Sequence, residues 1–178
     1  HDHDQRDRCE HLDRRQHALA PARLGLRRRG LRRRAAAGWS GGGSTALHLI
    51  FKFPELYRTA IAVAPVPNQR YYDSIYQERY MGLPEDNPEG FIQGSPINFA
   101  HQLQGHLLLI HGTGDDNCHY QTTEMLIDEL VRLDKPFSMM AYPNRTHAIR
   151  EGQNTTLHLR RLMTTYVETY LPANTSGQ

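Results

Sequence analysis

A pentapeptide of the form G-x-S-x-G constrains this chain more than any other feature. It is GWSGG at residues 38–42, and a segment with helical periodicity follows at residues 44–53, where Pro54 ends it. A short apolar run at residues 59–64 is typical of a buried strand in a parallel sheet. A flexible linker rich in glycine and serine would not be followed by this pattern. We therefore predict that Ser40 lies on a tight turn that leads into a helix.

Two later apolar runs end in polar residues that could complete a catalytic group. Residues 107–110 lead into a loop with Asp115 and Asp116, and residues 137–142 lead into a loop with His147. Functional carboxylates in open α/β sheets lie just past the carboxyl ends of strands. We predict that one carboxylate of the Asp115–Asp116 pair orients a histidine, while the other caps or braces the following loop and helix.

The histidine partner is chosen by its position and by its order in the chain. The sequence contains 11 histidines, so any one of them is more often a surface residue than a catalytic base. His111 lies at the end of a predicted buried strand, and His119 lies near a predicted helix start. His147 follows a strand end, and we predict that it is the base.

The order Ser40, Asp115, His147 is the one that the α/β-hydrolase fold uses. A serine hydroxyl is a poor nucleophile until a histidine accepts its proton, and a buried carboxylate holds that imidazole in the required tautomer. The backbone N–H of Gly41, directly after the serine, is the expected donor to an oxyanion. The residues thus predict nucleophilic catalysis on an α/β fold.

Five sequence blocks are specific enough to indicate a family. They are GWSGGGS, AVAPV, YYDSIYQERYMGLP, LLLIHGTGDDNCHYQ and YPNRTHAI. Together they resemble the catalytic domain of the prolyl oligopeptidase family of serine peptidases, and its dipeptidyl peptidase IV-like branch in particular. The resemblance implies a truncated α/β-hydrolase fold that comprises the C-terminal portion from the nucleophile elbow onward. Most members have a large aromatic residue directly after the serine, where this chain has Gly41.

The resemblance also implies a pocket for a penultimate proline or alanine of a peptide substrate, and residues that support the substrate's carbonyl and amino-terminal end. The pocket residues are Tyr72, Tyr76, Val66 and Cys118. The supporting residues are Asn117 and Arg79. Tyrosine faces give an apolar slot that suits a flat proline ring. By spacing alone, the tyrosines within residues 71–80 favour an amphipathic segment that packs on the core.

Residues 1–37 differ in composition from the rest of the chain. They hold 11 arginines, no lysine and five acidic residues, a net charge of +6, so the other residues carry −4. The sequence RRRAAA at residues 32–37 stands where we expect a Val/Ile-rich strand before the elbow. We expect a non-native or disordered segment, and we favour out-of-frame translation of a GC-rich gene. A basic arm that binds polyanions and a helical leader are the alternatives.

The predicted organisation is therefore an arginine-rich segment at 1–37, a partial α/β-hydrolase peptidase domain at 38–172 and a tail at 173–178. A helix at residues 155–171, capped by Asn154, is the last predicted element. The family places several strands, and a tyrosine that serves as second oxyanion donor, before the elbow. We accordingly expect weak or no peptidase activity from this chain alone.

The leading hypothesis is a serine peptidase that cleaves after proline or alanine near a peptide's amino terminus, through an acyl-enzyme on Ser40. The alternatives are an esterase or acyl hydrolase, and an inactive fragment with a polyanion-binding arm. We expect no cofactor and no metal, because the HDHD opening at residues 1–4 has no partner at metal-ligand spacing. A peptide is the expected partner, nucleic acid is not, and no apolar run is long enough to span a membrane. For the intact protein, the resemblance implies a periplasmic or secreted location and allows a homodimer.

Overall fold

Four parallel strands form one sheet whose order follows the chain. The structure is a computed structural model, and it describes residues 34–171. The strands are β1 (Arg34–Trp39), β2 (Tyr57–Val63), β3 (His106–Gly112) and β4 (Ser138–Tyr142), and they pair in the order β1-β2-β3-β4. Parallel neighbours need a crossover between them, and helices or longer connections supply it here.

Five α-helices occur among residues 34–171. They are α1 (Gly41–Lys52), α2 (Ser74–Met81), α3 (Pro88–Gly94), α4 (Tyr120–Arg132) and α5 (Thr155–Tyr170). Short 3-10 turns lie at Gln69–Tyr71 and Pro96–Gln102. The helix predicted at residues 44–53 begins three residues earlier, directly after Ser40. None of these helices in the described part of the chain is long and apolar enough to cross a membrane.

Successive side chains of β2 and β3 point into two different cores, because side chains alternate along a strand. The core that contains residues of α1 and α4 includes Ala60, Ala62, Leu107 and Leu109. The core that contains residues of α5 includes Ile61, Val63, Leu108 and Ile110. Both faces of the sheet are thus covered by helices, which explains the continuous apolar runs that predicted these strands.

The strand before the elbow corrects the expectation that RRRAAA replaces it. Residues 34–37 form the first part of β1, which pairs with β2 from Ala35 beside Thr59 to Trp39 beside Val63. Ala36 is buried in the same core as Leu47 of α1, so a methyl group is large enough at this position. The α/β part therefore begins no later than residue 34. The rest of the arginine-rich segment, residues 1–33, lies outside the described residues, and its out-of-frame origin stays a prediction.

The last helix begins at the predicted residue but is not capped in the predicted way. Asn154 has a φ of 62°, in the left-handed region that asparagine tolerates, and its side chain makes no capping hydrogen bond. The hydroxyl of Thr155 instead donates to the carbonyl oxygen of Glu151 at 2.6 Å. The start of α5 is thus fixed by the loop that precedes it.

Gly38 is predicted to be essential for stability, because a Cβ atom there would lie 2.0 Å from the carbonyl oxygen of Gly42. We expect Gly38→Ala to lower the free energy of unfolding by about 3 kcal/mol or more, since backbone must move to relieve the clash. Gly42→Ala is the control, because a Cβ there meets nothing within 4 Å. It should raise stability by about 0.5–1 kcal/mol, since alanine favours helix. Denaturant unfolding measures both, and equal losses in the two variants would contradict the prediction.

Candidate active site

Ser40 lies on the turn between β1 and α1 in a strained backbone conformation. Its φ is 56° and its ψ is −123°, which residues other than glycine rarely adopt. Such a conformation persists only where neighbouring structure holds it. The N–H of Ser40 donates to the carbonyl oxygen of Val63 at 2.8 Å, and its own carbonyl accepts from Ser44 N–H at 3.0 Å. Ser40 therefore occupies the tight turn into a helix that the pentapeptide predicts.

The carboxylate of Asp115 is fully buried and accepts four hydrogen bonds. Its Oδ1 accepts the backbone N–H groups of Asn117 and Cys118, both at 2.9 Å. Its Oδ2 lies 2.8 Å from Nδ1 of His147 and 3.1 Å from Nε2 of His111. A buried charge is tolerated only with such partners. Asp115 thus both orients the histidine and braces the following loop, two roles that the sequence analysis divided between Asp115 and Asp116. Asp116 itself is exposed.

His147 is held at its ring and at its backbone. Its Nδ1 contacts Asp115, and its carbonyl oxygen accepts the indole N–H of Trp39 at 2.9 Å. Trp39 directly precedes the serine, so this hydrogen bond links the elbow to the histidine loop. Ser40 Oγ lies 3.8 Å from Cys118 Sγ, and within residues 34–171 it makes no hydrogen bond to His147. Nucleophile–base contacts are often long until a substrate is bound.

The loop that carries His147 is also braced by Glu151. Its carboxylate accepts hydrogen bonds from the hydroxyl and the backbone N–H of Thr146, and from the N–H of Arg150. The hydrogen bond from the Thr146 hydroxyl is the largest of the effects that lower the pKa of Glu151 to about 2. Glu151 is therefore ionised throughout the neutral range.

Gly41 is the first residue of α1. The first N–H groups of a helix have no acceptor within the helix and carry its positive dipole end. The N–H of Gly41 is thus available to an anion beside Ser40. A Cβ built on Gly41 would meet nothing within 4 Å, so the space next to the serine is open.

A cavity of about 280 Å³ adjoins Ser40 and Gly41. Three predicted pocket residues line it, namely Val66, Tyr72 and Tyr76. It is also lined by four residues that the sequence analysis did not single out, Ser44, Thr45, His48 and Gln69. Cys118 is buried, with Sγ 3.8 Å from Ser40 Oγ and 3.9 Å from the Asn117 side-chain oxygen.

A larger cleft of about 860 Å³ shares Tyr72 and Tyr76 with the first cavity and is lined further by Arg79 and Asn117. The hydroxyl of Tyr72 donates to the side-chain oxygen of Asn117 at 2.9 Å. The rings of Tyr72 and Tyr76 meet edge to face with centroids 5.5 Å apart. The structure thus brings five of the six predicted substrate residues around two adjoining spaces, whereas Cys118 is buried and lines neither of them.

The spacing of the tyrosines within residues 71–80 alone favours packing on the core, but the structure shows that they do not pack there. Tyr71, Tyr76 and Tyr80 are 53%, 54% and 67% exposed, and Gln77 is the buried residue of α2. Exposed aromatic rings beside a cavity are better explained as a binding surface than as core packing.

Three contributors to the site escaped the sequence analysis. Trp39 holds the His147 backbone, His111 contacts Asp115, and His48 lines the cavity with a buried Nδ1 that has no hydrogen-bond partner among residues 34–171. The spacing of Gly41, Thr45 and His48 at four and three residues places them on one helix face. That spacing could have identified the cavity wall. The contact of Trp39 with His147 joins segments 108 residues apart and carries no local signal. His111 and Asp115 are only four residues apart, but their contact depends on how the loop after β3 turns back on the strand.

No group of three or more histidine, cysteine, aspartate or glutamate side chains in residues 34–171 is arranged to hold a metal ion. The site that the structure does contain is a strained serine turn after β1 with an Asp–His pair from the loops after β3 and β4. On a parallel sheet covered by helices on both faces, this defines an α/β-hydrolase domain.

The chain belongs to the prolyl oligopeptidase family, whose model it matches over residues 30–173. It is 40% identical over 128 residues to dipeptidyl peptidase 8 of Mus musculus, and the alignment covers 68% of this chain and 14% of that protein. It is 43% identical over 116 residues to venom dipeptidyl peptidase 4 of Apis mellifera, covering 63% of this chain and 15% of that protein. The crystal structure of Porphyromonas gingivalis dipeptidyl peptidase 4 matches with a TM-score of 0.75 and 39% identity, over 77% of this chain and 19% of that one. The chain thus spans a small fraction of each relative's length.

Cys118 is predicted to be unreactive although it lies beside Ser40. Burial is the largest of the effects that raise the pKa of its thiol from 9.0 to about 11. The folded protein therefore has less thiolate than the unfolded chain at any pH below that range, by about 100-fold for a two-unit difference. In a Cys9→Ser background, iodoacetamide should alkylate the folded chain at least that much more slowly at about pH 8. The same variant in urea is the control, and equal alkylation rates in the two states would contradict the prediction.

Proposed function

We propose that this chain carries the nucleophile, base and acid of a serine dipeptidyl peptidase. The observation that carries the proposal is the 2.8 Å hydrogen bond between His147 Nδ1 and buried Asp115, together with a serine on a strained turn at the same edge of the sheet. The Asp115 carboxylate accepts a hydrogen bond from the protonated Nδ1 of His147, so Nε2 is unprotonated and can act as a base toward Ser40. The names of the similar proteins support a dipeptidyl peptidase over other serine hydrolases.

The proposed reaction proceeds through an acyl-enzyme. Ser40 Oγ attacks the scissile carbonyl while His147 Nε2 takes its proton, and the resulting oxyanion is stabilised by the N–H of Gly41. His147 then returns the proton to the leaving amine, which breaks the peptide bond and leaves an ester on Ser40. A water molecule, activated by the same imidazole, hydrolyses that ester and releases the amino-terminal dipeptide.

The cavity beside Ser40 is the proposed site for the residue before the cleaved bond. Val66 and the faces of Tyr72 and Tyr76 give it an apolar side that suits proline or alanine. Asn117 and Arg79 line the adjoining cleft, where polar groups could bind the substrate's carbonyl and amino-terminal end. The dipeptide would then occupy both spaces, with Tyr72 and Tyr76 between its two residues.

The first test is covalent labelling of Ser40 in the full chain with a fluorophosphonate. We expect labelling of the folded wild type and none of Ser40→Ala, because the probe needs an activated serine next to an oxyanion donor. Tandem mass spectrometry locates the adduct, and circular dichroism establishes that both proteins are folded. A folded wild type that stays unlabelled would exclude the proposed chemistry.

The same samples separate a peptidase from an esterase. Although peptidase activity of this chain alone should be weak, we expect the wild type to cleave Gly-Pro-p-nitroanilide faster than Ser40→Ala does. The wild type should cleave the N-acetylated form more slowly, since a dipeptidyl peptidase needs the free amine. Hydrolysis of p-nitrophenyl acetate without any cleavage of the anilide would identify an acyl hydrolase instead. Ser40→Ala is again the control for background hydrolysis.

The absence of a side chain at Gly41 is predicted to widen the substrate range. The cavity continues past Gly41 to Thr45 and His48, and a Cβ at Gly41 has free space. We expect Gly41→Phe to lower kcat/KM for Gly-Leu relative to Gly-Pro anilide by about tenfold or more, because the ring fills the part of the cavity that leucine needs.

Gly42→Phe is the matched control for this specificity change. Gly42 also has free space around its Cβ position, but it does not line the cavity. The ratio of the two kcat/KM values should therefore stay at the wild-type level. A similar change of the ratio in both variants would show that the cavity does not select the substrate.

A further inference from the structure

His111 is a fully buried histidine for which the proposed reaction has no use. It belongs to β3 and has no exposed surface, and the ring edge of Tyr120 packs against it with centroids 5.6 Å apart. A buried imidazole in a core needs hydrogen-bond partners for both nitrogens, so its contacts indicate what the residue does.

The partners of His111 Nε2 determine which nitrogen carries the proton. Nε2 lies 2.7 Å from the carbonyl oxygen of Cys118 and 3.1 Å from Oδ2 of Asp115. A carbonyl oxygen and an ionised carboxylate can only accept. Nε2 must therefore be the protonated nitrogen, and it donates to both oxygens.

The remaining nitrogen is satisfied by a helix residue. Nδ1 lies 2.8 Å from Oγ1 of Thr123 in α4, which is itself fully buried. Burial is the largest effect on the pKa of His111 and lowers it, while the Cys118 carbonyl and the Asp115 carboxylate oppose that effect and His147 adds to it. The ring is therefore neutral near pH 7, so Nδ1 accepts the hydroxyl proton of Thr123.

These contacts connect Thr123, His111, Asp115 and His147 in one hydrogen-bond chain whose donors converge on Asp115. Thr123 donates to His111, His111 donates to Asp115, and His147 donates to Asp115 from the other side of the chain. Asp115 Oδ2 is the oxygen that receives both histidines, whereas Oδ1 receives only backbone N–H groups. The structure assigns His111, oriented by Thr123, as the positioning residue that holds Asp115 Oδ2 for His147. Its effect on catalysis rests on the proposed function, whereas the hydrogen-bond chain itself does not.

The first experiment reads the proton positions directly in the folded 178-residue chain. Nitrogen-15 NMR at about pH 7 should show His111 protonated at Nε2 and unprotonated at Nδ1. A His111 ring that carries its proton on Nδ1, or that carries protons on both nitrogens at this pH, would overturn the proposal. This measurement does not depend on any enzymatic activity.

The second experiment removes the hydrogen bonds between these residues one at a time. His111→Phe keeps a planar ring without a donor, and we expect fluorophosphonate labelling of Ser40 to slow by roughly tenfold to a hundredfold, the range for losing a hydrogen bond to a charge. His111→Gln can place an amide N–H near the position of Nε2 and should restore most of the rate. A labelling rate unchanged by His111→Phe would remove the positioning role.

Thr123→Val has a matched control in the neighbouring residue. Thr122 is also buried in α4, but its hydroxyl donates to the carbonyl oxygen of His119 at 2.8 Å and does not contact His111. Thr123→Val should slow labelling of Ser40 and shift the resonance of the proton on His147 Nδ1. The reason is that the substitution leaves Nδ1 of His111 without a hydrogen-bond donor, which disfavours the His111 tautomer that carries its proton on Nε2. Thr122→Val should do neither, and equal effects of the two substitutions would contradict the proposal.

The design separates failure of this inference from failure of the proposed function. If folded wild type is not labelled at Ser40, the proposed chemistry fails, while the tautomer and the His147 resonance still test the hydrogen-bond chain. If His111→Phe does not fold, the comparison of Thr123→Val with Thr122→Val gives the answer. In a double variant, Thr123→Val should add little to His111→Phe, because both act through the same link.

Discussion

The buried negative charge of Asp115 is the constraint on which the arrangement of the site depends. A carboxylate without water is tolerated only if donors surround it, and the donors come from three places. Two are backbone N–H groups of its own loop, one is a histidine of β3, and one is a histidine from the loop after β4. Satisfying this single charge therefore fixes the ends of two neighbouring strands relative to each other.

The parallel sheet explains why these groups can meet. The serine turn follows β1, the aspartate loop follows β3 and the histidine loop follows β4, so all three begin at the carboxyl edge of the same sheet. The connections pass over both faces and bury apolar residues on each. The residues of the site are distant in sequence, and the sheet places the starts of their loops side by side.

Sequence patterns predicted the parts of the structure that depend on local residues or on covered strands. The runs at residues 59–64 and 107–110 are continuous and apolar because both sheet faces are covered, and the tight turn at Ser40 follows from its flanking glycines. The order of serine, aspartate and histidine predicted the Asp115–His147 pair. The family was identified from motifs that the comparisons confirm.

The sequence was insufficient where three-dimensional contacts decide the outcome. Alanines at residues 35–37 have no strand preference of their own, but pairing along β2 makes them a strand. The spacing of the tyrosines alone favoured core packing, whereas the family resemblance predicted that Tyr72 and Tyr76 line a pocket, and both residues line the cavity beside Ser40. The contact of Trp39 with His147 joins two distant segments and could not be predicted from the sequence. The contact of His111 with Asp115 spans only four residues, but it depends on how the loop after β3 turns back on the strand.

The indole hydrogen bond from Trp39 to the His147 carbonyl has a mechanical consequence. Trp39, which precedes the nucleophile, donates a hydrogen bond to the main chain of His147, so the two loops are linked by a contact that does not involve the reacting atoms. This hydrogen bond restrains the serine turn and the histidine backbone relative to each other, while rotation of the two side chains can still change the distance between nucleophile and base.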